Sequence, residues 1–384
     1  MHNFSENIEN NKTIHIACSF EESFVMSAAA MLRSAAENLC EGYQLHVYAL
    51  HDETVTSALR EKLLASLDGL RITVAWLTPD FSSYKSKVLF TGPAGHPTAY
   101  FRILLPEILP KHLSKVLYLD VDMIIDSDIS ELWHTNLKEF IVGAVQSPTV
   151  PTFQSFYSFE PSEIDFSKEK IPYFNSGVLL INLNSWRSQS ITENVLHYAV
   201  KYRNDFRFND QDPLNCALAG KWLPLSPQWN ESSRDLCLSR EYTPYSEDEY
   251  EQWQHTPKII HYTYRKPWHP GCLHSKQELF FEYLNRTEWK NFRSENPVGL
   301  LTKIFFKLER ESWYLASVYI VGRRNGISRK RNLSFIFKSL LNKPYLIPFF
   351  PLLLLKRTIA SALIRNNALR RVMGRPKKRP LPVR

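Results

Sequence analysis

Along the first 120 residues the apolar positions follow two alternating rhythms. Short apolar runs at 14–18, 45–50, 72–77 and 116–119 have strand length. Between them, stretches at 25–39 and 55–67 carry apolar residues at the spacing of a helix with one buried face. This alternation predicts βαβ units, an α/β fold around a mostly parallel sheet, whose ligands bind beyond the carboxyl ends of the strands. There is no internal repeat. Residues 147–169, rich in Pro, Ser and Phe, read as a long loop or lid.

Composition changes the picture toward the end of the chain. A length of 384 residues suits one large α/β domain with an extension, and 44% apolar with 22% charged residues is ordinary for a globular body. The net charge of +8 hides an asymmetry. Residues 301–384 hold 20 Lys and Arg against Glu309 and Glu311, a net +18, which leaves −10 on the first 300. The expected division is a catalytic body over 1–296 and a basic amphipathic region over 297–384.

That second region mixes basic clusters such as Arg329-Lys330-Arg331 and Lys377-Lys378-Arg379 with an apolar run over 345–355. The run is 11 residues long and holds Pro348 and Pro351, whereas a spanning helix needs about 20 apolar residues. The reading is therefore insertion at an anionic membrane surface, each engaged basic residue adding roughly 1 kcal/mol. A solvated tail is the bland alternative, and a nucleic-acid partner is less favoured. Residues 1–13 lack the basic start and apolar stretch of a signal peptide. Five cysteines, Cys18, Cys40, Cys216, Cys237 and Cys272, include no CxxC pair. Both features predict a cytoplasmic protein held peripherally at the inner face of the membrane.

The candidate chemistry follows the run at 116–119, in Asp120-Val-Asp122 with Asp126 and Asp128 beyond. On an extended segment, side chains two residues apart point the same way. Paired carboxylates at a sheet edge are unfavourable unless a cation lies between them, and a divalent metal with oxygen ligands suits them. The alternative is a solvated loop. The 12 glycines form neither GxGxxG nor GxxxxGK[ST], so the usual backbone cradles for a diphosphate are missing and a metal must offset its charge. A nucleotidyltransferase needs the same parts.

Five ordered blocks extend this picture: Thr98-Ala-Tyr-Phe-Arg102, Leu117-Tyr-Leu-Asp120-Val-Asp122, Tyr173-Phe-Asn175-Ser176-Gly177, Asn209-Asp210-Gln211-Asp212 and Ile260-His261 through Lys266-Pro-Trp268. Together they resemble glycosyltransferase family 8, which holds bacterial lipopolysaccharide galactosyl- and glucosyltransferases and glycogenin. The resemblance runs from about residue 14 to 274. It implies a GT-A fold, a Rossmann-like mixed sheet flanked by helices. It also implies Mn²⁺ (or Mg²⁺), a UDP-sugar donor, and retaining transfer of galactose or glucose to a saccharide or glycolipid acceptor of lipopolysaccharide type.

Carried over by position, the resemblance makes Asp120, Asp122 and His261 the metal ligands and brings Lys266 to the donor diphosphate. Arg102 would hold the donor sugar and phosphate, against a bland alternative of pairing with Glu107. Asn175, Ser176 and Gly177 would let the backbone approach the sugar, since Gly lacks a Cβ. Asp210 would bind sugar hydroxyls, and Gln211 would lie beneath the anomeric carbon as a catalytic amide. Asp210 or Asp212 could equally cap a helix over 213–219. The family usually carries an Asp-Asp-Asn-Tyr-like run at the base subsite. This chain has Glu21-Glu22-Ser23-Phe24 there, making Glu21 and Phe24 the counterparts. An inactive GT-A protein serving as a membrane- or nucleic-acid-binding module is the other reading.

Overall fold

The computed structural model describes residues 12–292 apart from 89–96, 158, 167–169, 233–237, 239, 264–265, 270–271 and 273. The basic region expected over 297–384 and Cys237 lie outside the described residues.

Strands β1 (Thr13–Phe20), β2 (Gln44–His51), β3 (Ile72–Leu77) and β4 (Lys115–Leu119) form where the apolar runs place them. They continue into β6 (Val142–Gln146), β7 (Phe174–Asn182) and β8 (Trp222–Pro224), in the order β3-β2-β1-β4-β7-β6-β8. The pairings β3–β2, β2–β1, β1–β4 and β6–β8 are parallel, whereas β7 runs antiparallel to both β4 and β6. The sheet is thus mixed and mostly parallel, as expected.

Both faces of the sheet are covered, which is why its strands read as unbroken apolar runs. On β1, Ile14, Ile16, Cys18 and Phe20 face one core, against the helices Val25–Glu37 and Ser57–Ala65. Ala17, with Tyr118 of β4 and Leu179 of β7, faces the other, against Ile191–Lys201 and Gln211–Ala217. The alternation is the period of two that an extended chain imposes. Helix Val25–Glu37 buries Ala28, Ala29, Ala30, Ala35 and Ala36, small side chains that allow close approach. It stops at Asn38, whose amide donates to the Ser34 and Ile125 carbonyls at 3.1 and 2.9 Å.

A second sheet has the order β5-β10-β9, from β5 (Met123–Ile125), β10 (Ile259–His261) and β9 (Glu231–Ser232). Its antiparallel β5–β10 register sets Met123 opposite His261. Because β7 runs against β4, with Leu119 opposite Val178, residues 175–177 lie just past the end of β4. Two sheet edges therefore meet around residues 120–122.

Two details differ from expectation. The helix expected over 213–219 is Gln211–Ala217, and neither Asp210 nor Asp212 caps it through its side chain. Pro213 still falls in the first turn, where its missing N–H costs nothing. Within 147–166 the chain is packed rather than open: Phe153–Phe156 is a short helix with a Thr152/Ser155 capping box, and Phe153 and Tyr157 are buried. Among the described residues no helix is long and apolar enough to cross a membrane.

Candidate active site

Asp120 and Asp122 leave the end of β4 in opposite company but arrive at one point. The Asp120 N–H donates to the Gly177 carbonyl at 2.9 Å, and the Tyr262 N–H to the Asp122 carbonyl at 2.9 Å, so each peptide is pinned to a different sheet. His261 Nε2 lies 3.2 Å from Asp122 Oδ1 and 3.8 Å from Asp120 Oδ2. One ligand atom from each of Asp120, Asp122 and His261 falls within 4.8 Å of the others. Two carboxylates and one imidazole form a donor set suited to Mn²⁺ or a similar divalent ion.

The histidine is braced from behind. Its Nδ1 is 2.9 Å from Asn230 Oδ1, and the Asn230 amide donates to Asn175 Oδ1 at 2.8 Å, which also accepts the Gly177 N–H at 2.9 Å. At metal sites a shell of this kind fixes the ring orientation of a histidine ligand. Gly177 has a neighbour other than the one expected. A Cβ there would stand 2.5 Å from His261 Cε1 and 2.9 Å from Asp120 Oδ2, so the missing side chain makes room for the ligand cluster.

Lys266 places its ammonium on Asp122 Oδ2 and donates to the Tyr262 carbonyl at 2.8 Å. Burial pushes the Asp122 carboxyl up, but Lys266 and His261 outweigh it and hold it far below the usual carboxylate range. Arg102 is 5% exposed and serves four partners: the Ala99 carbonyl at 3.1 Å, Asp120 Oδ1 at 2.8 Å, the Ser176 carbonyl at 2.6 Å and Asp210 Oδ2 at 3.0 Å. Its guanidinium also lies 4.3 Å over the Tyr118 ring. It does not pair with Glu107; it ties three segments of the site together. Burial pushes the Asp210 carboxyl up to about 6 against the pull of Arg102, with Asp120 adding to the rise.

Gln211 opens its helix beside β7, its Oε1 accepting the Ser176 N–H at 3.0 Å and its Nε2 donating to the Tyr173 hydroxyl at 3.1 Å. A cleft of about 190 Å³ at the ends of β1 and β4 is lined by Glu21, Phe24, Arg102, Asp120, Asp122 and Asn209, among others. Glu21 is buried and accepts from Ser23 Oγ at 2.8 Å, while Phe24 meets Trp268 edge-on at 5.9 Å. Farther on, Asp128 accepts from the Ser130 N–H and hydroxyl, a local turn remote from this chemistry.

Asn230 and Tyr118 were not legible as site residues. Tyr118 stands in an apolar strand run, and its hydroxyl, 2.7 Å from Ser19 Oγ, donates to Asp120 Oδ1 at 3.2 Å. The one available signal for Asn230 was an amide in an aromatic turn, Pro227–Asn230.

Comparison with known proteins gives the arrangement its relatives. The chain is similar to General stress protein A of Bacillus subtilis (strain 168), 26% identical over 286 residues, covering 73% of this chain and 96% of that protein. It is also similar to the Lipopolysaccharide 1,2-glucosyltransferase of Escherichia coli (strain K12), 27% identical over 266 residues, covering 69% and 74%. Among solved structures, the galactosyltransferase LgtC in complex with donor and acceptor sugar analogs superimposes with a TM-score of 0.61 at 22% identity, over 71% of this chain and 96% of that one. It shares the GT-A fold. The model of glycosyl transferase family 8 matches residues 15–272, a span running from β1 past the Asp pair, Gln211 and His261, and the chain is accordingly a member of that family.

Proposed function

We propose that the protein is a retaining, Mn²⁺-dependent glycosyltransferase that moves galactose or glucose from a UDP-sugar to a hydroxyl of a saccharide acceptor of lipopolysaccharide type. The observation that carries the reading is the convergence of Asp120, Asp122 and His261 within 4.8 Å, at strand ends, with both aspartates on a cleft that Arg102 also lines. The named activity of the Escherichia coli relative supports a lipopolysaccharide acceptor, and the donor and acceptor analogs bound to LgtC support a two-substrate cleft.

Asp120, Asp122 and His261 would hold the divalent metal, whose charge would offset that of the donor diphosphate. Lys266, beside Asp122, adds a second positive charge on that side. Glu21 and Phe24 would border the base, and Asn175, Ser176 and Asp210 the sugar. Gln211 would lie beneath the anomeric carbon, its amide carbonyl opposing the positive charge that develops as the bond to phosphate lengthens. The departing phosphate can then take the proton of the acceptor hydroxyl on the same face, which retains the anomeric configuration.

Residues 297–384 would hold the enzyme at an anionic membrane surface, a reading supported by the net +18 over 301–384 and by the apolar run at 345–355. The test of the catalytic reading is a screen of UDP-sugars for slow hydrolysis with Mn²⁺ and with chelator. Turnover of one UDP-hexose that chelator abolishes is the expected result. Absence of turnover with every donor would favour the inactive binding module.

A further inference from the structure

Asp212 lies one residue beyond Gln211, is fully buried, and sits in a polar nest of its own. Its Oδ2 accepts the N–H groups of Arg207 and Phe208 at 2.6 and 2.8 Å and the Tyr157 hydroxyl. Its Oδ1 accepts the Tyr173 hydroxyl. Four donors saturate one carboxylate, which is how a buried charge is tolerated away from water. They come from three separate segments: the residue that ends the short helix at 153–156, the residue before β7, and the turn that leads into the helix Gln211–Ala217.

Tyr173 has a second bond, and it is the informative one. Having donated its proton to Asp212, the hydroxyl offers Gln211 only a lone pair, which the Gln211 Nε2 group meets at 3.1 Å. A primary amide has one donor end and one acceptor end, so committing Nε2 to Tyr173 fixes where Oε1 must be. The Ser176 N–H, 3.0 Å from Oε1, agrees with that orientation. Asn215 closes the frame, with its amide on the Gln211 and Phe174 carbonyls at 2.9 and 3.0 Å and its Oδ1 on the Phe174 N–H at 2.8 Å.

We infer that Tyr173, oriented by Asp212, is a positioning residue that sets the rotamer and amide direction of Gln211. This rests on the reading of Gln211 given above. Without the hydroxyl, the amide can turn over and present N–H groups where a carbonyl is needed, while the donor still binds through its other contacts. Tyr157, which has no hydrogen bond to Gln211, holds the segment at 153–157 to the same carboxylate and serves as the comparison.

The test is a double-mutant cycle on the full-length protein with the UDP-hexose it hydrolyses, together with thermal denaturation of each variant. Tyr173→Phe is expected to lower kcat on the order of tenfold to hundredfold, as misplacement of a catalytic group does, with donor KM little changed. Tyr157→Phe is expected to lower the melting temperature by a comparable amount with a smaller loss of kcat. In a Gln211→Ala background Tyr173→Phe should cost nothing further, because its only route to the chemistry has gone. The Gln211 side-chain amide signals of ¹⁵N-labelled protein should shift in Tyr173→Phe and stay in place in Tyr157→Phe. If Gln211→Ala is slow and the two losses multiply, or if the two Tyr→Phe variants behave alike, the positioning role is overturned. If Gln211→Ala turns over normally, the catalytic reading of Gln211 falls instead.

Discussion

Adding one methyl group at Gly177 tests whether the ligand cluster is as tightly framed as its geometry implies. The backbone at Gly177 is a regular part of β7, so alanine meets no conformational obstacle there and any effect is steric. Ordinary van der Waals contact for a Cβ begins at 3.4 Å and the new atom would stand 2.5 Å from His261 Cε1, so the ring must retreat by about 1 Å. It has little room, being buried and backed through Nδ1 by Asn230. Asp120 Oδ2, 2.9 Å from the same point, is held through its other oxygen by Arg102 and Tyr118. Overpacking of this kind costs about 1–3 kcal/mol. At roughly 2–4 °C per kcal/mol for a domain of this size, the melting temperature should fall by several degrees. Displacing a metal ligand should weaken Mn²⁺ binding by about tenfold to hundredfold, the scale seen when a ligand's support is lost. Isothermal titration with Mn²⁺ and melting curves in chelator measure the two effects separately. A Gly177→Ala protein with wild-type melting temperature and wild-type Mn²⁺ affinity would refute the reasoning, since the ring would then have space to move freely.

Three further outcomes are expected. Asp122→Asn should abolish transfer, because one proposed metal ligand loses its charge, and near-normal turnover at saturating Mn²⁺ would contradict the assignment. The same change should destabilise the protein by roughly 1–3 kcal/mol in denaturant titrations, because it removes the charge facing Lys266 in a nearly dry pair while leaving a carbonyl to accept its proton. His15 should make the protein acid-sensitive. Burial, then His46 and His112, lower its pKa from 6.5 to about 4, so the folded state binds fewer protons than the unfolded chain between those values. Stability is therefore present above pH 6.5 and is lost as pH falls toward 4, and melting curves of His15→Leu across that window should show a shallower decline than wild type. Truncation after Pro297 should leave donor hydrolysis intact and abolish co-sedimentation with anionic vesicles, salt should release the full-length protein, and equal binding by both proteins would sink the membrane reading.

The first half of the sheet was legible because β1 to β4 obey a local rule: each is a short apolar run set off by helical spacing or turn residues. The same rule says nothing of direction, and it is the antiparallel entry of β7 that brings 175–177 to the end of β4. The Asp pair was legible as chemistry because two carboxylates after an apolar strand need a cation. His261 came only from the family blocks, since a histidine on an apolar strand carries no signal of what lies across from it. Asn230 was missed because its contacts to Asn175 and His261 are 55 and 31 residues away in sequence and no spacing links them. Asp212, like Asp210, suits a helix cap by its place just before Pro213. The helix begins two residues earlier, and its carboxylate is spent on two tyrosines and two backbone N–H groups.

The pairing of β5 with β10 has a consequence for how the protein comes to be active. Asp122 precedes β5 directly and His261 ends β10, 139 positions downstream, and they meet only when that antiparallel register closes. Contacts of such long range are costly in chain entropy and form late, after local strands and helices are in place. A chain emerging from the ribosome has both aspartates long before it has the histidine. On the proposed metal reading, affinity would belong to the completed body rather than to any fragment, and Mn²⁺ uptake during refolding should mark the last cooperative step.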